Sequence, residues 1–259
     1  MPKLFRKIRQ NLLNEGLSIG EAGKTSRYFK YAIGEICALV VIGILIALQI
    51  NNWNETRKIK RSEQEILQNL KNELLVNKDK LEKIYANQLE VFKSSDSLLK
   101  LFNTDVSNIS IIKLDSLFAN FEVALTFEAS DGYIKSLLAS GKVDYIQNSN
   151  LKAFVGLFDG QVIDATEENY AVRRLFEERL WPVIDGKINS SNRVRTLTNY
   201  AKIPKGSYTS DYIWFFSNRE IEDIVSNITV WRIDLMTDEQ TFLNNIKHTI
   251  ATIDKELQQ

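Results

Sequence analysis

The sequence predicts an all-α protein in which a single transmembrane helix continues into a long helix and an extracytoplasmic antiparallel helical bundle. Three observations predict it. Tyr31–Trp53, YAIGEICALVVIGILIALQINNW, is apolar over about 34 Å of helix at 1.5 Å per residue, enough to cross a bilayer. Beyond it, apolar residues recur at threes and fours, the helical period. No proline or glycine stands between Gly43 and Gly132 to stop a helix. The chain of 259 residues then divides into a basic arm (1–30), the span (31–53) and a helical domain (54–259) that contains a long loop at 186–216.

The arm opens MPKLFRKIRQNLL, with Leu4, Phe5, Ile8 and Leu12 on one side of a helix and basic residues largely on the other. Lys3, Arg6, Lys7 and Arg9 are membrane-interface candidates. Such a helix lies on anionic headgroups, or the segment is an ordinary tail that satisfies the orientation rule. Net charge is zero over the whole chain but segregated. Residues 1–30 carry Lys3, Arg6, Lys7, Arg9, Lys24, Arg27 and Lys30 against Glu15 and Glu21, whereas the part after Trp53 is net acidic. The basic side of a span stays in the cytoplasm, which puts the N-terminus inside and the bulk outside. Arg57, Lys58, Lys60 and Arg61 act against that orientation. GEAGKTS (20–26) imitates a phosphate-binding loop, but Ser18 stands where its first glycine belongs and a span follows.

Within the span, Tyr28, Phe29 and Tyr31 mark one interface and Trp53 the other, where amphipathic rings sit. No A-x-A cleavage site follows, so the sequence predicts a retained anchor rather than a signal peptide. Glu35, Ile42 and Gln49 are seven apart on one face, and Gly43 and Ala47 form a small-xxx-small pair. Two readings are open: Glu35 snorkels or is protonated at the inner interface, or this face packs against a second copy. Cys37, the single cysteine, falls in the span, so the exported part has no internal disulfide.

LFRKIRQNLL, YFKYAIGEI and VVIGILIALQINNWNE together resemble the N-terminal signature of an uncharacterised family of single-span proteins from Bacteroidetes-type bacteria. The likeness is specific over residues 3–58 and continues loosely through LLASGKVDYIQNSNLK; Cys37-Ala38 departs from its usual aliphatic run. The resemblance implies the inner membrane of a Gram-negative cell and a mostly helical periplasmic domain. It implies no activity.

Past Trp53, Leu67, Leu70, Leu74, Leu81, Ile84, Val91, Leu98 and Phe102 form one stripe, interrupted by Asn77, Gln88 and Ser95. These polar positions read as coiled-coil register points or as places where a bundle helix meets water. Thr104–Ser110 reads as a turn, with helices at Ile111–Phe121 and Tyr133–Leu138. Gly141 suits a left-handed C-cap, and Asn148 or Asn150 caps the next helix. That helix uses Leu151, Phe154, Val155, Phe158, Val162, Ala165, Tyr170, Leu175 and Phe176, and closes at Trp181-Pro182 and Asp185-Gly186. The last runs from about Asn218 to near Leu257 on Ile221, Ile224, Val225, Ile228, Trp231, Leu235, Phe242, Ile246 and Ile250. Burying such stripes against one another makes a four- or five-helix bundle.

The loop Ile188–Phe216 is long for a bundle connection. Arg193, Arg195 and Lys202 with Tyr208, Tyr212 and Trp214 make either a recognition surface for an anionic or stacking ligand or a strap whose aromatics plug the bundle. Alternation of Tyr212, Trp214 and Phe216 suggests an extended segment. His248, the single histidine, has no second histidine or cysteine for zinc and no nucleophile elbow for a relay. Asp131, Asp144, Asp159 and Asp164 read as caps and solvated faces. Basic residues are interspersed with acids, against nucleic-acid binding. The expectation is therefore a non-catalytic, membrane-anchored periplasmic module without a cofactor, acting in binding, sensing or as a scaffold. Its expected partners are the lipid bilayer and a second copy or another membrane protein. The rivals are an oligomeric, bilayer-perturbing effector and a periplasmic hydrolase.

Overall fold

A computed structural model describes the backbone of residues 19–258 and the side chains of residue 33 and residues 36–258. Every regular element among them is helical. These are α1 (Ile19–Leu99), α2 (Ile111–Phe121), α3 (Gly132–Ala139), α4 (Ser149–Asp164), α5 (Glu168–Arg174), α6 (Trp181–Ile184), α7 (Ser190–Val194), α8 (Tyr212–Ser217) and α9 (Arg219–Leu257). Short 3₁₀ turns lie at Lys142–Tyr145 and Thr198–Tyr200, and a π-helical turn, Leu175–Leu180, joins α5 to α6. The described residues fall into two compact units, divided after Arg61.

In the first unit α1 carries an apolar surface on all sides. Leu39, Val40, Val41 and Ile42, four consecutive residues that cover a full turn, are all exposed, as are Ile44, Leu45, Ile46, Leu48 and Ile50. No part of the most apolar window is buried, and α1 is long and apolar enough to cross a membrane. Trp53 ends the apolar stretch, with the Arg57 guanidinium 5.8 Å over its ring.

In the second unit α1 and α9 run antiparallel. Lys71 pairs with Asp254 at 2.5 Å, Glu82 with Lys247 at 2.8 Å, and Ser95 meets Arg232 at 3.1 Å, in opposite sequence order. Two apolar clusters fill the unit. Leu67, Leu70, Leu74 and Leu81 of α1 pack with Ile134, Phe154, Phe158, Phe242 and Ile246 in one. Leu98 and Phe102 pack with Phe118, Phe121, Phe176, Tyr212, Phe215 and Phe216 in the other. Each such side chain, fully buried, contributes about 1.5–3 kcal/mol. Helix ends are held locally and at a distance. Asn148 accepts from the Asn150 and Leu151 N–H groups, and Asn218 from those of Glu220 and Ile221. Glu73 of α1 accepts from Tyr133 and Ile134 N–H at 2.8 and 2.9 Å, satisfying the open N-terminus of α3. Gly141 and Gly186 adopt φ of 68° and 75°, the left-handed region that glycine tolerates best.

Four expectations need correction. Asn77, Gln88 and Ser95 do not meet water; they are buried and bonded within the unit. Trp231 is exposed, and Arg232 takes the inward position beside it. Tyr170 is exposed as well, because the chain leaves the helix after Asp164 and re-enters it at Glu168. Tyr212–Phe216 is helical rather than extended, since Asp211 caps it by accepting from Trp214 N–H at 3.0 Å.

Candidate functional site

A belt of polar side chains crosses the unit beside the apolar clusters, and a strap, residues 123–130, passes along it without helix or strand. Side chains of α1 and α9 hold this strap by its backbone. Asn77 bonds both the N–H and the carbonyl of Ser130 at 2.7 Å. Lys80 donates to the Glu128 carbonyl at 3.2 Å, Gln88 to that of Leu125 at 3.4 Å, and Arg232 to that of Val123 at 3.4 Å. A segment that pairs with no strand thus finds partners for its carbonyls in the side chains that break the α1 stripe.

Glu122, at the start of the strap, is the electrostatic centre. Its Oε1 accepts from Trp181 Nε1 at 2.7 Å, and its Oε2 lies 2.5 Å from Arg193 Nε. The latter is an ion pair without hydrogen-bond alignment, since neither Nε nor Nη1 of Arg193 has an acceptor along its N–H. Arg193 also stands 4.6 Å over the Phe118 ring. On the other flank, buried Arg232 donates to Ser95 Oγ at 3.1 Å and stacks over Phe121 and Phe176 at 4.9 and 5.5 Å. Burial raises the Glu122 pKa, and the two guanidinium groups, Arg193 foremost, oppose the rise. Burial pulls Arg232 down to about 10, and Glu122 partly offsets this. Asp115, also buried, accepts from Tyr212 Oη at 2.7 Å and Ser210 Oγ at 3.1 Å, and the Arg193 charge acts on the same tyrosine. Carboxylate and guanidinium therefore alternate along the belt from Asp115 through Arg193 and Glu122 to Arg232. Such alternation offsets part of the desolvation cost of these charges.

Glu239 of α9 is different. It is 0% exposed, and neither carboxylate oxygen has a hydrogen-bond partner. Burial pushes it up to about 7, with Gln88 nearby acting weakly in the other direction.

Glu122, Val123, Ala124 and Trp181 form a wall shared by two clefts. One, of about 430 Å³, is lined by Gln88, Tyr170, Phe176, Arg232 and Leu235. The other, of about 900 Å³, is lined by Asp185, Ser190, Arg193, Val194, Leu197 and Tyr200. Both volumes fall in the range of small-molecule sites. The π turn shapes the shared wall: its i→i+5 bonding sets Phe176 and Trp181 over one another, ring centroids 6.0 Å apart, with Trp181 reaching Glu122.

The loop residues singled out in the sequence separate into two groups. Arg193 and Tyr212 enter the belt, while Arg195 is half-buried and Lys202 and Tyr208 are exposed. The Tyr208 carbonyl is held by Asn189 and Asn192, and Lys187 lies 5.6 Å over the Trp214 ring. In the span, Ile42, Gln49, Gly43, Ala47 and Trp53 are exposed. Lys3, Arg6, Lys7 and Arg9, and the side chains of Tyr28, Phe29, Tyr31 and Glu35, lie outside the described residues. Asp131 pairs with Lys135 at 2.5 Å, and Asp159 acts on the same lysine. His248 is exposed. Sequence reasoning missed Glu122, Arg232 and Glu239. A signal for two of them existed, because Arg232 and Glu239 fall in step with Val225, Ile228, Leu235, Phe242 and Ile246, which share their buried face on α9.

The fold defines a class: a helix apolar enough to span a bilayer, continuing into a helical bundle. The chain belongs to DUF6090, a family of unknown function, which matches residues 35–190. No curated protein and no solved structure matches the chain.

Proposed function

We propose that the protein is a single-pass, non-catalytic binding module of a bacterial inner membrane, with its N-terminus in the cytoplasm and its helical domain in the periplasm. The observation that carries this reading is the α1 segment from Ile36 to Trp53, whose apolar side chains are exposed on every side. A helix apolar all round needs hydrocarbon around it. The charge asymmetry of the sequence sets its direction, and the clefts beside Glu122 give the domain a place to bind. Fusions to the C-terminus test the orientation. Alkaline phosphatase should be active and a cytoplasmic fluorescent reporter dark; the opposite pattern overturns it.

A second reading, self-association of the span into a bilayer-perturbing effector, draws on Gly43, where a Cβ would meet nothing within 4 Å. With Ala47 and the exposed Gln49 this leaves room for a second helix. Induction that collapses the membrane potential in the parent but not in Gly43→Ile favours the effector. An unchanged potential favours the binding module.

A further inference from the structure

We propose that the 900 Å³ cleft binds a primary amine, a single ammonium group carried on an apolar body. The inference rests on the binding-module reading and names its ligand.

The charge of the cleft decides the sign of the ligand. Glu122 and Arg193 line it but are already matched inside the wall. Glu122 lies against Arg193 Nε and accepts from Trp181, and the buried Arg193 guanidinium is covered by the Phe118 ring. Along the belt Asp115 and Glu122 offset Arg193 and Arg232, so the belt brings no net charge to the cleft. Asp185 is the remaining charged group on the lining. It is exposed and has no ion-pair partner among the described residues. An anion entering the cleft would meet an unmatched carboxylate, and a neutral molecule would leave that carboxylate unused. An ammonium group answers it.

Position adds two reasons. Asp185 caps the C-terminal end of α6, its N–H bonded to the Trp181 carbonyl at 3.0 Å. From Glu168 to Ile184, α5, the π turn and α6 follow one another without a break, and the C-terminal end of a helix carries partial negative charge. A carboxylate there adds to that charge instead of opposing it, so both favour a cation at the same place. Trp181 stands one turn before Asp185, the spacing that puts two side chains on one face. Trp181 and Tyr200, 40% and 51% exposed, both line the cleft. The faces of such rings attract an ammonium group, and with Val194 and Leu197 they cover an apolar body. Ser190 and Thr198, on the same lining, offer hydroxyl acceptors for the N–H donors that Asp185 leaves over.

Calorimetric titration of the full chain in phosphatidylglycerol nanodiscs, with empty discs as the blank, tests the proposal. Phenethylamine and isoamylamine are set against 2-phenylethanol, which has a matching body and no charge, and phenylacetate, which reverses the charge. At least one amine should saturate at one site and bind tenfold or more tightly than both controls. Asp185→Asn, an exposed change that keeps the turn, should weaken that amine about tenfold without lowering the melting temperature. Tyr200→Leu should weaken it severalfold, and Tyr200→Phe, which keeps the ring, should leave it as tight as in the parent. Equal binding of 2-phenylethanol overturns the proposal. So does binding at parental strength by Asp185→Asn, or no binding of either amine to the folded chain. Each of these results leaves the binding-module reading standing if the C-terminal alkaline phosphatase fusion is active; an inactive fusion strikes that reading instead.

Discussion

Asn77 grips Ser130 twice, donating from Nδ2 to its carbonyl and accepting at Oδ1 from its N–H, both at 2.7 Å. Fifty-three residues apart in sequence, the two are joined as adjacent strands would be, with an amide side chain in place of a backbone. Asn77 is fully buried, so its loss leaves two backbone groups of the strap without partners. Asn77→Leu should cost about 2–6 kcal/mol, each orphaned group contributing roughly 1–3. Urea unfolding of the full chain in mild detergent should show the midpoint fall, and an unchanged midpoint would show that the strap is not held there.

Glu122 is the one carboxylate between Arg193 and Arg232. Glu122→Leu leaves two buried guanidinium groups without this carboxylate and should cost about 3–5 kcal/mol. Glu122→Gln retains an acceptor for Trp181 and should cost less. Fluorescence-monitored unfolding checks the order; equal stability of both variants with the parent contradicts the belt's electrostatics.

Glu239 makes stability depend on pH. Its folded pKa, pushed up to about 7, exceeds the ordinary 4.5, so the folded chain holds this proton more tightly than the unfolded. The associated stability is complete below pH 4.5 and is lost as pH rises through 7. Glu239→Gln removes the penalty and should stabilise the chain at pH 8 by about 3 kcal/mol, with little effect at pH 4.5. Thermal melts of both proteins at the two pH values measure this, and a variant less stable at pH 8 refutes it.

Gly206 lies where a Cβ would overlap the Asn189 side chain. Asn189 is itself fixed, accepting from Asn192 N–H at 3.1 Å and donating to the Tyr208 carbonyl at 2.7 Å. Gly206→Ala should loosen the 201–209 segment at a cost of about 1–3 kcal/mol. Limited proteolysis should cut there faster, and the melting temperature should fall by a few degrees. Cleavage at the parent rate would mean that Asn189 gives way freely.

Much of the fold was legible because it is written in short-range signals. The α1 stripe from Leu67 to Leu98, the cap Asn148, the start of α9 near Asn218 and the left-handed Gly141 each depend on residues within a few positions of one another. The belt was not legible, because its bonds join distant residues: Trp181 to Glu122, Arg232 to Ser95, Tyr212 to Asp115. Charged residues on an apolar stripe also weigh against burial until their partners are known. Trp231 therefore reads as the inward residue by its side chain, since it and Arg232 both stand three or four residues from Ile228 and Leu235. In the loop, polarity concealed α7, which Asn189 caps by accepting from Asn192 N–H.

The central claim is that the Ile36–Trp53 stretch of α1 lies in lipid. Membranes from cells expressing the full chain, washed in alkaline carbonate and then in detergent, test it most directly. The account predicts that the full-length chain stays in the pellet through carbonate and is released by detergent alone. Full-length chain recovered in the carbonate wash, or a shortened chain cut after Trp53, would contradict it.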